Sequence, residues 1–161
     1  MAIVTISGRA GIVRSLKNSS IFLAWGQGDE SWTGDEKFSE DPTQTKLIRE
    51  VGRRIVDEVQ FVVGDDQGAI VTQSGRWNIS ETPTNNLYIS ARYDAADGNG
   101  FKIREFGVFL NTVVKEGLPA GQRYFLPTDI EDPGELLMLE NSVPIIRTGD
   151  TRYRCSFVMS L

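Results

Sequence analysis

Apolar residues fall in short runs between polar turns along most of this chain, and the runs repeat mainly with a period of two. Leu87, Ile89, Ala91 and Tyr93 alternate with Tyr88, Ser90 and Arg92. This puts them on one face of an extended strand. Tyr153, Cys155, Phe157, Met159 and Leu161 alternate in the same way and predict a half-buried strand near the C-terminus. Ile21 to Trp25 is a short unbroken apolar run, the pattern of a buried strand. Phe101 to Leu110 follows the turn Asp97-Gly98-Asn99-Gly100 and reads as the hairpin partner of 87–93. Tyr124 to Leu126 and Leu136 to Leu139 read as short strands around the turn Asp132-Pro133-Gly134. Helical spacing is weaker. Ala10, Val13, Arg14, Leu16 and Lys17 suggest a helix with Ser7 as N-cap, stopped by Asn18-Ser19-Ser20. Between Lys46 and Val63 both periods compete. Leu47, Ile48, Val51, Ile55 and Val59 fit a helix, while the β-branched residues from Ile55 onward fit a strand. We read one helical turn after Thr43 or Thr45, a strand from about Arg54, and a hairpin turn at Gly64-Asp65-Asp66-Gln67-Gly68. These elements predict a mainly β fold, β-sandwich-like, with one or two short helices, in a single domain spanning 1–161.

Two segments break the pattern. Residues 26–45 have no periodicity, and a structureless stretch of about twenty residues is uncommon in a compact domain unless it serves a function. Its apolar residues Trp32 and Phe38 stand alone among polar ones, so they are candidate interface anchors. The second break is Arg104-Glu105, an adjacent charged pair inside the apolar run 101–109. Charges there need compensation, which makes the two a candidate structural ion pair. A five-residue echo, Ile-Arg-Glu-Val-Gly at 48–52 and Ile-Arg-Glu-Phe-Gly at 103–107, is too short to be a repeat and is read as coincidence.

Composition narrows the chemistry. Among 161 residues there is no histidine and one cysteine, Cys155. That removes the commonest general base and metal ligand, the Ser-His and Cys-His pairs, and any internal disulfide. The net charge of −5 argues against nucleic acid, which requires a basic footprint. No window of 18 apolar residues spans a membrane, and the N-terminus has no charged leader with a long apolar stretch. Gly26-Gln27-Gly28-Asp29 has the look of a phosphate-cradling turn but lacks the third glycine, the Walker lysine and a following helix. Asp94, Asp97 and Asn99 lack the spacing of a calcium loop and read as turn residues. Cys155 reads as a buried small hydrophobe. Trp25, Trp32 and Trp77 could stack on sugars, yet they sit in separate segments. No metal, cofactor or catalytic residue is assigned, and the chain is expected not to be an enzyme.

Three motifs in order carry a resemblance: Leu23-Ala24-Trp25-Gly26-Gln27-Gly28-Asp29, then Thr45 to Arg54 (Thr-Lys-Leu-Ile-Arg-Glu-Val-Gly-Arg-Arg), then Ile103 to Phe109 (Ile-Arg-Glu-Phe-Gly-Val-Phe). Over about residues 5–110 the chain resembles the N-terminal attachment domain of the tail-collar fibre family of contractile-tail bacteriophages. It departs from that family in its ending: a full fibre continues into a shaft and a receptor-binding tip, whereas here Pro127 to Leu137 and a final strand lead to Leu161, and in this it resembles stand-alone baseplate or tail-fibre connector proteins. The resemblance implies a structural component of a contractile phage tail that attaches fibres to the baseplate or joins baseplate wedge subunits. It also implies a virion location after assembly in the host cytoplasm, other baseplate or fibre proteins as partners, and an oligomeric state in the particle. The alternative is a carbohydrate-binding β-sandwich module of a phage adhesin.

Overall fold

The computed structural model describes residues 1–161. The fold is mainly β, with twelve strands, one α-helix and a single 3-10 turn at Pro127–Asp129. Its contacts divide the chain into two compact units, one of residues 1–19, 56–92 and 154–161, the other of residues 20–55 and 93–153.

The first unit holds α1 (Ile6–Lys17) and the sheet β12-β6-β3-β5-β4, made of β3 (Glu58–Gly64), β4 (Ile70–Thr72), β5 (Gly75–Ile79), β6 (Asn86–Tyr93) and β12 (Tyr153–Ser160). The helix cap is Thr5 rather than Ser7: the Gly8 amide donates to Thr5 Oγ1 at 3.1 Å, and Thr5 is extended while Ser7 lies inside the helix. Val13 is the buried residue of the helix. Its first turn and the preceding Met1–Thr5 are exposed on all sides. The turn at 65–68 is present, with the Gly68 amide donating to Asp65 O at 2.7 Å. It does not return β3 onto β4, however; β3 pairs with β5, and β4 pairs with β5 in turn.

The second unit holds the sheet β11-β7-β1-β2-β9 and the ribbon β10-β8. Its strands are β1 (Ile21–Gly26), β2 (Glu50–Ile55), β7 (Lys102–Leu110), β8 (Val113–Val114), β9 (Tyr124–Phe125), β10 (Ile130–Asp132) and β11 (Glu135–Ile146). β1 is buried along its whole length because it is central, with β2 on one side and β7 on the other. Residues 46–55 correct the sequence reading. No helical turn forms after Thr43 or Thr45; instead the Thr43 amide and hydroxyl both donate to Asp41 Oδ1, at 2.8 and 2.7 Å, an Asx turn that competes with helix. The hairpin expected between 87–93 and 101–110 is also corrected: β6 pairs with β3, and β7 pairs with β1 and β11. β11 runs to twelve residues because irregularities between Leu136 and Met138 and between Asn141 and Ile145 absorb its pattern breaks.

One face of this second sheet carries Phe22, Ala24, Phe109 and Phe125, closed over by Leu47 and flanked by Leu118, Ile130, Leu136 and Leu139. The other face carries Trp25, stacked at 3.6 Å on Tyr93, with the indole N–H donating to the Tyr124 hydroxyl at 2.9 Å. Burial pushes the Tyr124 phenol up to about 12. No helix of the chain is long and apolar enough to cross a membrane.

Candidate functional site

β1 ends at Gly26 and β2 begins at Glu50, so the connection between two neighbouring strands is far longer than a hairpin needs. Three buried side chains from the sheet hold it down.

The first is Glu105 on β7, with no exposed surface. Its Oε1 accepts the amides of Gly28 at 3.2 Å and Arg49 at 3.0 Å, and its Oε2 accepts the Ile48 amide at 3.1 Å. One carboxylate therefore binds both ends of the loop, and backbone dipoles take the part of a counter-ion. Gly26 lies opposite Glu105 in the β1–β7 register. A side chain there would strike the Glu105 carboxylate and approach Arg49 O to 2.7 Å, which is why glycine occupies this position.

The second is Arg104, 3% exposed. As neighbours on a strand, Arg104 and Glu105 project to opposite sides. The structure gives them separate backbone partners: Arg104 Nη2 donates to Gly34 O in mid-loop, and its Nη1 is buried without a hydrogen-bond partner. The third is Asn141 on β11, which faces Glu105 in the register. Its side-chain Nδ2 donates to Ser39 O at 3.1 Å and its backbone amide to Glu40 Oε1 at 3.0 Å. Arg49 closes the base of the loop, with Nε on Gly28 O at 2.8 Å and Nη1 on Glu30 at 3.0 Å.

On this footing Trp32 and Phe38 stack on each other, ring centroids 4.8 Å apart and planes within 6°. Both are half-buried. The loop that carries them is acidic in sequence, with Asp29, Glu30, Asp35, Glu36, Glu40 and Asp41 against a single Lys37, which pairs with Glu40 at 3.2 Å. Burial works to raise the Glu40 pKa, but the Asn141 amide, its own backbone amide and Lys37 outweigh it and hold Glu40 below its ordinary 4.5. A depressed folded-state pKa means stabilisation that is complete above the unfolded value and lost as pH falls through the folded one. Hydrogen exchange at residues 35–41 should thus accelerate on acidification below about pH 4.5 relative to neutral pH, after correction for intrinsic rates, whereas Glu40→Gln should be loose at both.

The five-residue echo proves to have structural meaning. Glu50 and Glu105, the glutamates of its two copies, both register against Gly26, one from each side of β1. Glu105 binds the loop; Glu50 binds Arg53 through a fork, Oε1 to Nε and Oε2 to Nη2, both 2.8 Å. Sequence reading missed Arg53, 2% exposed. It lies 4.0 Å from the Phe109 ring centroid and also donates to Thr112 Oγ1 at 2.6 Å and Pro133 O at 2.8 Å. It missed Arg54 as well, whose Nη1 meets Asp97 at 2.9 Å and Nη2 meets Asp94 at 3.2 Å. The signal was there in two adjacent arginines inside an apolar run. Asp94 and Asp97, considered for calcium, are thereby engaged by a guanidinium. They lie in the link between β6 and β7, not in a hairpin turn. Trp25 is fully buried and out of reach of a sugar.

These observations describe a β scaffold that presents one rigidly footed acidic loop, the build of a structural assembly protein. Comparison with known proteins places it among the components of phage particles. Residues 1–161 match the family described as "Baseplate wedge 3 tail fiber network component", and the chain belongs to that family. It is also similar to "Virion protein 3" of Enterococcus phage phiEF24C, 27% identical across all of this chain and 96% of that protein. The protein is a structural part of the phage tail baseplate and associates with other tail proteins. The attachment role implied by the three motifs agrees with this.

Proposed function

We propose that this protein is a passive connector, docking through the 26–45 loop onto a neighbouring tail protein and so joining wedge subunits or fibres to the baseplate. The observation that carries the reading is the stacked Trp32–Phe38 pair, held at the surface by buried side chains that fix the loop from beneath. An aromatic pair fixed in place before binding saves ordering entropy and can anchor an interface. The role needs no catalytic turnover, and the absence of histidine from the sequence supports its being non-enzymatic. The acidic balance supports protein rather than nucleic-acid partners. The reading further holds that the chain is incorporated as an oligomer and assembles in the host cytoplasm.

Phage carrying Trp32→Ala together with Phe38→Ala should release particles depleted of this protein or of fibres. A hot-spot loss of about 2 kcal/mol or more weakens an interface roughly 30-fold. Electron microscopy of such particles is the test, and normal fibred, infectious particles would refute the loop as the docking element. Hydrogen exchange gives a second check, since the loop tip should be better protected in the particle than in the isolated chain.

A further inference from the structure

Charge is distributed unevenly along the chain. Residues 1–20 contain Arg9, Arg14 and Lys17 and no acidic residue, whereas residues 26–45 contain six acidic residues and one basic. The first segment is also the one whose apolar residues are most exposed, with Ile3 at 82% and Ile6 at 83%. In α1, Ile6, Ala10 and Arg14 recur at a spacing of four, and Arg9 lies one turn from Ile6. Arg9 and Arg14 are exposed and without ion pairs, and so are Asp35 and Glu36 at the loop tip. Each surface thus combines an apolar pair with free charges, and the signs are opposite.

Resting on the reading of the loop as an interface, we propose that its occupant is the N-terminal arm and first turns of α1 of a second copy of this chain. Ile3 and Ile6 would cover the Trp32–Phe38 pair while Arg9 and Arg14 meet Asp35 and Glu36. Opposite potentials steer such an encounter and fix its register. A guanidinium beside an indole adds a cation–π contribution. The contact is heterologous: it uses different patches on the two copies, so it builds rings or open arrays rather than a closed two-fold dimer. A chain with net charge −5 would otherwise resist self-association, and the basic arm offers a local exception.

The test uses the purified full-length chain in analytical ultracentrifugation. Wild type should form concentration-dependent oligomers at about 0.05 M salt and dissociate toward monomer near 0.5 M, where the screening length falls to a few ångströms. The double variant Arg9→Glu/Arg14→Glu should be monomeric, and so should Asp35→Lys/Glu36→Lys. All four positions are exposed, so circular dichroism should be unchanged. An equimolar mixture of the two variants should associate again. The native loop of one variant meets the native helix of the other, and the two altered patches are also complementary, with their signs exchanged. A monomeric wild type at about 100 µM, variants that associate as wild type does, or a mixture that stays monomeric would each overturn the proposal. The Trp32/Phe38 phage test reads the loop's role separately: defective particles with a monomeric isolated chain would leave the loop as an interface for a different tail protein.

Discussion

Replacing Glu105 with alanine should lower stability by about 3–5 kcal/mol, because three amides that it receives, those of Gly28, Ile48 and Arg49, would lose their acceptor in a buried site. Most core polar changes cost less because one partner is lost; here a single deletion orphans three donors. Glu105→Gln is the informative companion. Its carbonyl oxygen can still accept from Gly28 and Arg49, but its amide nitrogen would face the Ile48 N–H, donor against donor. About half the loss is expected. Chemical denaturation gives the two stabilities, and hydrogen exchange should show residues 26–49 opening first in both variants. Alanine at 105 with stability within about 1 kcal/mol of wild type would mean that the loop does not depend on this carboxylate.

The second large effect is expected at Arg53. Alanine there would strip Glu50 of its forked partner, remove the donor to Pro133 O and Thr112 Oγ1, and leave a void over the Phe109 ring. A loss of about 3–5 kcal/mol follows from breaking a buried charge pair. Lysine should recover only part of it, since an ammonium cannot form the planar fork that engages both Glu50 oxygens. Arg53→Met together with Glu50→Leu should sit well above the alanine variant, because removing both charges leaves no buried ion alone. A double variant no more stable than Arg53→Ala would show that packing, and not the uncompensated charge, dominates at this site.

The sequence announced individual strands more clearly than their partners. The alternation of 87–93 and the apolar run of 21–25 were legible because each side chain's face follows from period two. Which strand lies beside which does not follow from that period. The link from Asp94 to Phe101 resembles a hairpin turn yet carries the chain from one sheet to another. β11 was seen only at 136–139 because Glu140-Asn141-Ser142 and Pro144 interrupt its apolar pattern. Those same residues form the irregular stretch that anchors the loop at Asn141. At 46–55 a helical spacing of Leu47, Ile48, Val51 and Ile55 competed with the strand pattern and hid Arg53 and Arg54 as interior residues. For the candidate site, Trp32, Phe38, Arg104 and Glu105 were identifiable from sequence as anomalies of polarity. Their grouping around one loop was not, since it depends on Gly26 and Glu105, far apart in sequence, becoming neighbours across β1 and β7.

The interleaving of the two units bears on how the chain is made. The first unit is assembled from residues 1–19, 56–92 and 154–161, and the second from residues 20–55 and 93–153. During synthesis α1 precedes every strand of its unit, yet the sheet of that unit lacks the edge strand β12 until residues 153–160 have been translated. In the other sheet, β1 must wait through β2 to β6 before β7 appears to cover its second edge. The first unit therefore cannot complete its sheet until β12 is made, and β1 keeps one edge open until β7 follows, at about 5–20 residues per second. Nascent chains stalled before β12 should remain protease-sensitive at residues 1–19 and 56–92, the segments whose sheet β12 completes.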